Sequence, residues 1–174
     1  LQLKDIRTLL CDESLKSNVM KTGIFRHVIK NIIYSFKDRP SDFLSFPDEV
    51  KKLSSEDRNS FDLLPCDASF IFKNFLSSER FLKDGISYGI FDKNRIISCA
   101  GTYAISDRYA DICVYTVPWR RRKKSSYKCA TALIKELFLI NKYPTWTADE
   151  SHEPSIKLAE KLGMVQMDEL FCFY

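Results

Sequence analysis

The order of elements from residue 86 onward most constrains how this chain can fold. "ISYGIF" (86–91) and "RIISCAGTYAI" (95–105) are rich in β-branched and aromatic residues. "DKN" separates them, with Asp92 and Asn94 suited to a hairpin turn. A third strand, "YADICVYTV" (109–117), follows the short turn "SDR". A basic run leads into a helix from about Ser126 to Ile140, with Ala130, Leu133, Ile134, Leu137 and Phe138 on one side. "PTWTA" (144–148) reads as a short strand, "EPSIKLAEKLG" as a helix closed by Gly163, and "MVQMDELFCFY" as a last strand. Meandering strands followed by helix, strand, helix, strand predict an α/β domain with a mixed sheet.

Residues 1–47 read as helical. In "GIFRHVIKNIIYSF" the residues Ile24, Phe25, Val28, Ile29, Ile32, Ile33 and Phe36 recur at helical spacing, with Gly23 and Pro40 as limits. Asp67 is expected to cap a helix over 67–76. The 174 residues suit one domain, 1–174.

Composition excludes several classes. No stretch approaches the roughly 18 apolar residues of a membrane span, and "LQLKDIRTLL" is interrupted by charge too early for a signal peptide. Six scattered cysteines show no C-x-x-C spacing, and no metal constellation is present. Reduced thiols and a cytoplasmic setting are the expectation. The net charge of +4 is modest.

That charge is concentrated in "TVPWRRRKKSSYKC" (116–129), where Arg120 to Lys124 are all basic. A loop between a strand and a helix N-terminus can hold an anion, because the first N–H groups point outward and the dipole adds about half a positive charge. A solvated surface or a nucleic-acid patch remains open on these residues alone. Against the latter, no basic stripe lies outside the loop and no aromatic RNA motif is present.

The neighbouring residues resemble the GNAT family of acyl-CoA-dependent N-acetyltransferases. The family signature [Q/R]-x-x-G-x-[G/A] falls on Arg121-x-x-Lys124-x-Ser126, with lysine where glycine is expected and serine at the second small position. Pro118, "ALI" (132–134), "PTW" and "SIKLAEKLGM" follow in register. The last string is similar to the branch related to zwittermicin-resistance acetyltransferases. The resemblance covers about residues 48–174. It implies a GNAT-like single domain: a mixed, mostly antiparallel central sheet with splayed parallel strands (109–117 and 144–148), helices on both faces, and a helical N-terminal segment.

The resemblance also implies the chemistry. Acetyl-CoA would be the cosubstrate, with no metal. Its pantetheine would pair with backbone near Tyr115, Thr116 and Val117. Its pyrophosphate would rest on the N–H groups of Arg121, Arg122, Lys123, Lys124, Ser125 and Ser126. Lys124 is compatible with the close approach if its φ is helical, and its ammonium could then reach a phosphate in place of a backbone contact. A degenerate loop that no longer binds CoA is the other reading. An amine acceptor must lose a proton to attack the thioester, and Asp111 is the expected base. Strand alternation places Asp111, Cys113 and Tyr115 on one face. The tyrosine acid of many relatives falls on Ala159, so Tyr115 is the substitute candidate. His152 and Ser155 lie where the family contacts CoA. A catalytically degenerate interaction module with the same fold, or a nucleic-acid-associating protein using 120–124, are the rival readings.

Overall fold

The computed structural model describes residues 9–25, 27–40 and 47–173. The opening "LQLKDIRT", position 26 of the expected helix and most of the loop after Pro40 lie outside the described residues. In chain order the elements are β1 (Leu9–Cys11), α1 (Glu13–Lys21), β2 (Val28–Ser35), β3 (Lys51–Lys52) and α2 (Arg58–Asp62). A 3-10 segment, Cys66–Phe75, follows. Then come α3 (Ser78–Asp84), β4 (Ser87–Asp92), β5 (Arg95–Ile105), β6 (Tyr109–Thr116), α4 (Ser125–Leu139), β7 (Tyr143–Asp149), α5 (Glu153–Lys161) and β8 (Val165–Phe173).

The chain packs as two units, residues 38–145 and residues 1–37 with 146–174. In the larger unit the strands run β3-β4-β5-β6-β7. Neighbours are antiparallel except β6 and β7, which are parallel. The sheet is therefore mixed and mostly antiparallel, as the sequence predicts. Alternation along β6 decides which helices cover which face. Ile112, Val114 and Thr116 turn toward α4, whose Cys129, Leu133 and Leu137 are buried. Cys113 and Tyr115 turn toward the 3-10 segment, where the Cys113 thiol lies 4.0 Å from the Ile71 carbonyl. Phe61 and Phe81 complete that second layer. Gly101 sits beneath it because a Cβ there would run into the Phe81 ring.

In the smaller unit β8 pairs antiparallel with both β1 and β2. Val19 of α1 and Phe25 pack on Cys11, Phe171 and Phe173. The helix predicted over 24–36 is corrected here: Val28–Ser35 is a strand. Its side chains are partly covered on both faces, so the apolar residues form a near-continuous run instead of a clean alternation. Periodicity cannot separate such a run from a helix, and the β-branched Val28, Ile29, Ile32 and Ile33 favour the strand. Gly23 does not open a helix. At φ +66° it closes α1, with its N–H on the Met20 carbonyl. Gly163 plays the same part after α5, where Gly163 N–H meets Glu160 and Met164 N–H meets Ala159, a Schellman pair. Asp67 is not a cap either, since the 3-10 segment starts at Cys66 after Pro65.

Among the described residues no helix is long and apolar enough to cross a membrane. No group of three His, Cys, Asp or Glu among them could hold a metal ion.

Candidate active site

The larger unit brings together Asp111, Tyr115, Thr116, Val117 and Arg121 to Ser126. The parallel ladder between β6 and β7 has three registered pairs, ending at Asp111↔Thr145. Among the described residues of this unit, the β7-facing edge of β6 from Ile112 onward has no registered partner strand. Asp111 thus stands where the ladder stops. It is half-buried, and Thr145 Oγ1 donates to its Oδ1 at 3.2 Å. Burial and the nearby Asp111 charge push the Cys113 thiol well above its ordinary range, so Cys113 is not a thiolate nucleophile at neutral pH.

Tyr115 is buried, and its hydroxyl donates to Asp67 Oδ1 at 3.0 Å. Burial pushes the phenol up to about 12, the Asp67 hydrogen bond and charge add to this, and Arg121 opposes it. The phenol stays protonated at neutral pH, and its proton is directed at Asp67. The Tyr115–Asp67 hydrogen bond was not visible in the sequence, where aspartate before an aromatic run reads as a helix cap.

After β6, the Val117 N–H donates to the Ile97 carbonyl at 3.0 Å, and Pro118–Arg120 make one 3-10 turn. The five basic side chains then separate. Arg120 is paired with Asp92 of the β4–β5 hairpin. Arg121 folds back, its Nε donating to the Thr116 carbonyl at 3.3 Å. Arg122 and Lys124 have φ of +62° and +61°.

The last value does not meet the condition of a helical φ: Lys124 is left-handed. The backbone keeps the conformation for which glycine is suited and places lysine in it. A left-handed non-glycine residue costs about 1–2 kcal/mol, and glycine's extra chain entropy offsets roughly 0.5–1 kcal/mol of that. Lys124→Gly is therefore expected to raise stability by up to about 1 kcal/mol, or about 2–4 °C in Tm. An unchanged or lower Tm by calorimetry would mean that the turn is unstrained.

Lys124 is the N-cap residue of α4, yet its side chain makes no cap hydrogen bond, and the first turn holds no acidic residue. The first-turn N–H groups of an α-helix have no intrahelical carbonyl to meet. This end of α4 is suited to an anion.

His152 and Ser155 belong to the smaller unit. His152 precedes α5, and its carbonyl accepts from Ser155 N–H at 2.9 Å. The Ser155 hydroxyl accepts from Trp146 Nε1 at 2.9 Å, which orients the indole. Ala159 is fully buried on α5, so no acid can act from that position.

A GNAT acetyltransferase family model matches residues 20–173, reaching further toward the N-terminus than the motifs alone. Comparison with curated proteins gives no match. Among solved structures, a GNAT-family protein from Novosphingobium aromaticivorans is 17% identical with a TM-score of 0.67, over 86% of this chain and 65% of its own. A GCN5-related N-acetyltransferase-like protein from Streptococcus suis is 22% identical with a TM-score of 0.67, over 91% of this chain and 67% of its own. A GNAT-family acetyltransferase from Colwellia psychrerythraea is 13% identical with a TM-score of 0.63, over 95% of this chain and 63% of its own. The chain thus spans about two thirds of the length of these proteins, and at such identities the likeness is one of fold.

Proposed function

The chain belongs to the GNAT acetyltransferase family, and from that premise we propose that it transfers an acetyl group from acetyl-CoA to an amine. The observation that carries this reading is the unit from β6 to α4: a strand edge with no registered partner among the described residues of its unit, a turn with two left-handed residues, and a helix N-terminus with no side-chain cap and no acid in its first turn. Pantetheine would pair with the backbone of Tyr115 to Val117. The diphosphate would meet the N–H groups of Arg121 to Ser126, with Arg121 and Lys124 adding charge.

The amine nitrogen attacks the thioester carbonyl carbon. The C–N bond forms, the C–S bond breaks, and CoA leaves as the thiolate, which takes a proton from solvent. The nitrogen gives its proton to Asp111. Holding both reactants in place can supply about 7–11 kcal/mol of the barrier reduction. Arg120 is engaged by Asp92 and Lys128 by Glu49, which argues against a continuous polyanion surface. Within the family, "SIKLAEKLGM" (155–164) supports placement near the zwittermicin-resistance branch.

Acetyl-CoA at 100 times its Kd is expected to stabilise the fold by about 2.7 kcal/mol. Thermal melting with and without acetyl-CoA, paired with CoA release in the presence of primary amines, tests this. No melting shift at saturating acetyl-CoA would sink the proposal.

A further inference from the structure

We propose that Asp67 holds a second ammonium group of the acceptor, distinct from the nitrogen that is acetylated, so that the acceptor is a diamine or polyamine. This deepens the acetyl-transfer reading and rests on it.

Asp67 and Phe70 lie three residues apart in the 3-10 segment. Such a helix has three residues per turn, so the two side chains eclipse on one face. Both meet the same residue of β6. Asp67 Oδ1 accepts from the Tyr115 hydroxyl, and the Phe70 and Tyr115 rings meet edge-on with centroids 6.5 Å apart. Tyr115 is buried, whereas Asp67 and Phe70 are exposed. The pair is therefore an outward-facing carboxylate and aromatic ring, both fixed by a buried phenol.

The carboxylate is not matched internally. Among the described residues Asp67 has no ion-pair partner, and its Oδ2 accepts no hydrogen bond. Arg121 is close enough to lower the Tyr115 phenol, but its Nε bond goes to the Thr116 carbonyl. A carboxylate beside an exposed aromatic ring suits an ammonium group, which the ring attracts through its face.

Asp111 lies on the same face of β6, four residues before Tyr115. Strand rise puts these two Cα atoms roughly 13 Å apart. Asp67 is held by the Tyr115 hydroxyl and Asp111 by the Thr145 hydroxyl, so this face carries two separately held carboxylates. A molecule with two nitrogens can use both, with one fixed as ammonium at Asp67 and the other deprotonated at Asp111.

The test compares 1,7-diaminoheptane with 1-aminoheptane, which share a stem and differ in the second charge. In turnover, the diamine should have a KM about 10- to 100-fold lower in the wild type. Asp67→Asn, which keeps an acceptor oxygen for Tyr115, should erase that advantage, bringing the KM for the diamine to that for 1-aminoheptane. A binding readout works without turnover. With ¹³Cζ-labelled tyrosine, and Tyr115→Phe for assignment, the diamine should shift the Tyr115 resonance saturably, and Asp67→Asn should abolish this. A resonance unmoved by the diamine, or moved equally in Asp67→Asn, overturns the proposal. So does a KM change that is the same for both amines. The underlying reading fails differently: no melting shift with acetyl-CoA, whatever the amines do.

Discussion

Asp111→Asn is expected to lower acetyl transfer about 10²–10⁴-fold and to leave acetyl-CoA affinity close to that of the wild type. The size follows from the job. An alkylamine is mostly protonated at neutral pH, and asparagine cannot take its proton. The fold should tolerate the change because Asn offers the same Oδ1 to the Thr145 hydroxyl that holds Asp111 now. Asp111 also sits at the last registered β6–β7 pair. Steady-state kinetics with the most active amine and calorimetric titration of acetyl-CoA separate the two quantities. A fall of less than about threefold would remove Asp111 from the role of base, since general-base contributions are rarely so small.

Arg121→Ala and Lys124→Ala are each expected to weaken acetyl-CoA about 10- to 100-fold, the loss for one charge-assisted phosphate contact of about 1.5–3 kcal/mol. Arg120→Ala should do much less, because Asp92 already engages that guanidinium. Pantetheine, which lacks the diphosphate, should hardly sense either change. Titration of acetyl-CoA and pantetheine into the three variants measures the contrast. Equal losses from every basic residue with steep salt dependence would point to diffuse polyanion binding. Lys124→Gly adds a separate handle. If the ammonium carries the contact, glycine loses nearly as much affinity as alanine while gaining stability.

The C-terminal half of the fold, from residue 86, was legible because its signals are local. The turn after Asp92 falls on Lys93, at φ +56°, and Asn94, between β-rich runs. The helix from Ser125 carries one buried stripe. Gly163 ends α5 with a positive φ that its lack of a side chain makes easy. The N-terminal part was harder to read. β2 is covered on both faces, which erases the period-two pattern, and its apolar spacing imitates a helix. Gly23 was recognised as punctuation but assigned to the wrong side.

The site divides in the same way. The strand, short loop and helix that carry Asp111 and the basic run could be read along the chain, because they are contiguous. The left-handed φ of Lys124 could not be found, since lysine carries no signal for that conformation. Nor could the pairs Tyr115–Asp67 and Arg120–Asp92, whose members lie 48 and 28 residues apart. Such contacts exist only after the 3-10 segment and the hairpin have packed against β6 and its loop. They change the meaning of the residues. Two of the five basic side chains are engaged internally, Arg120 by Asp92 and Arg121 by the Thr116 carbonyl, and a supposed cap becomes the acceptor of the Tyr115 hydroxyl.

The central claim is that the backbone of β6 and of the turn into α4 holds acetyl-CoA. Amide ¹H–¹⁵N NMR during titration with acetyl-CoA tests this most directly. The account predicts the largest, saturable shifts at Tyr115 to Val117 and at Arg121 to Ser126, with pantetheine moving the first group alone. Shifts confined to exposed basic residues, abolished by moderate salt and reproduced by a short RNA, would contradict it.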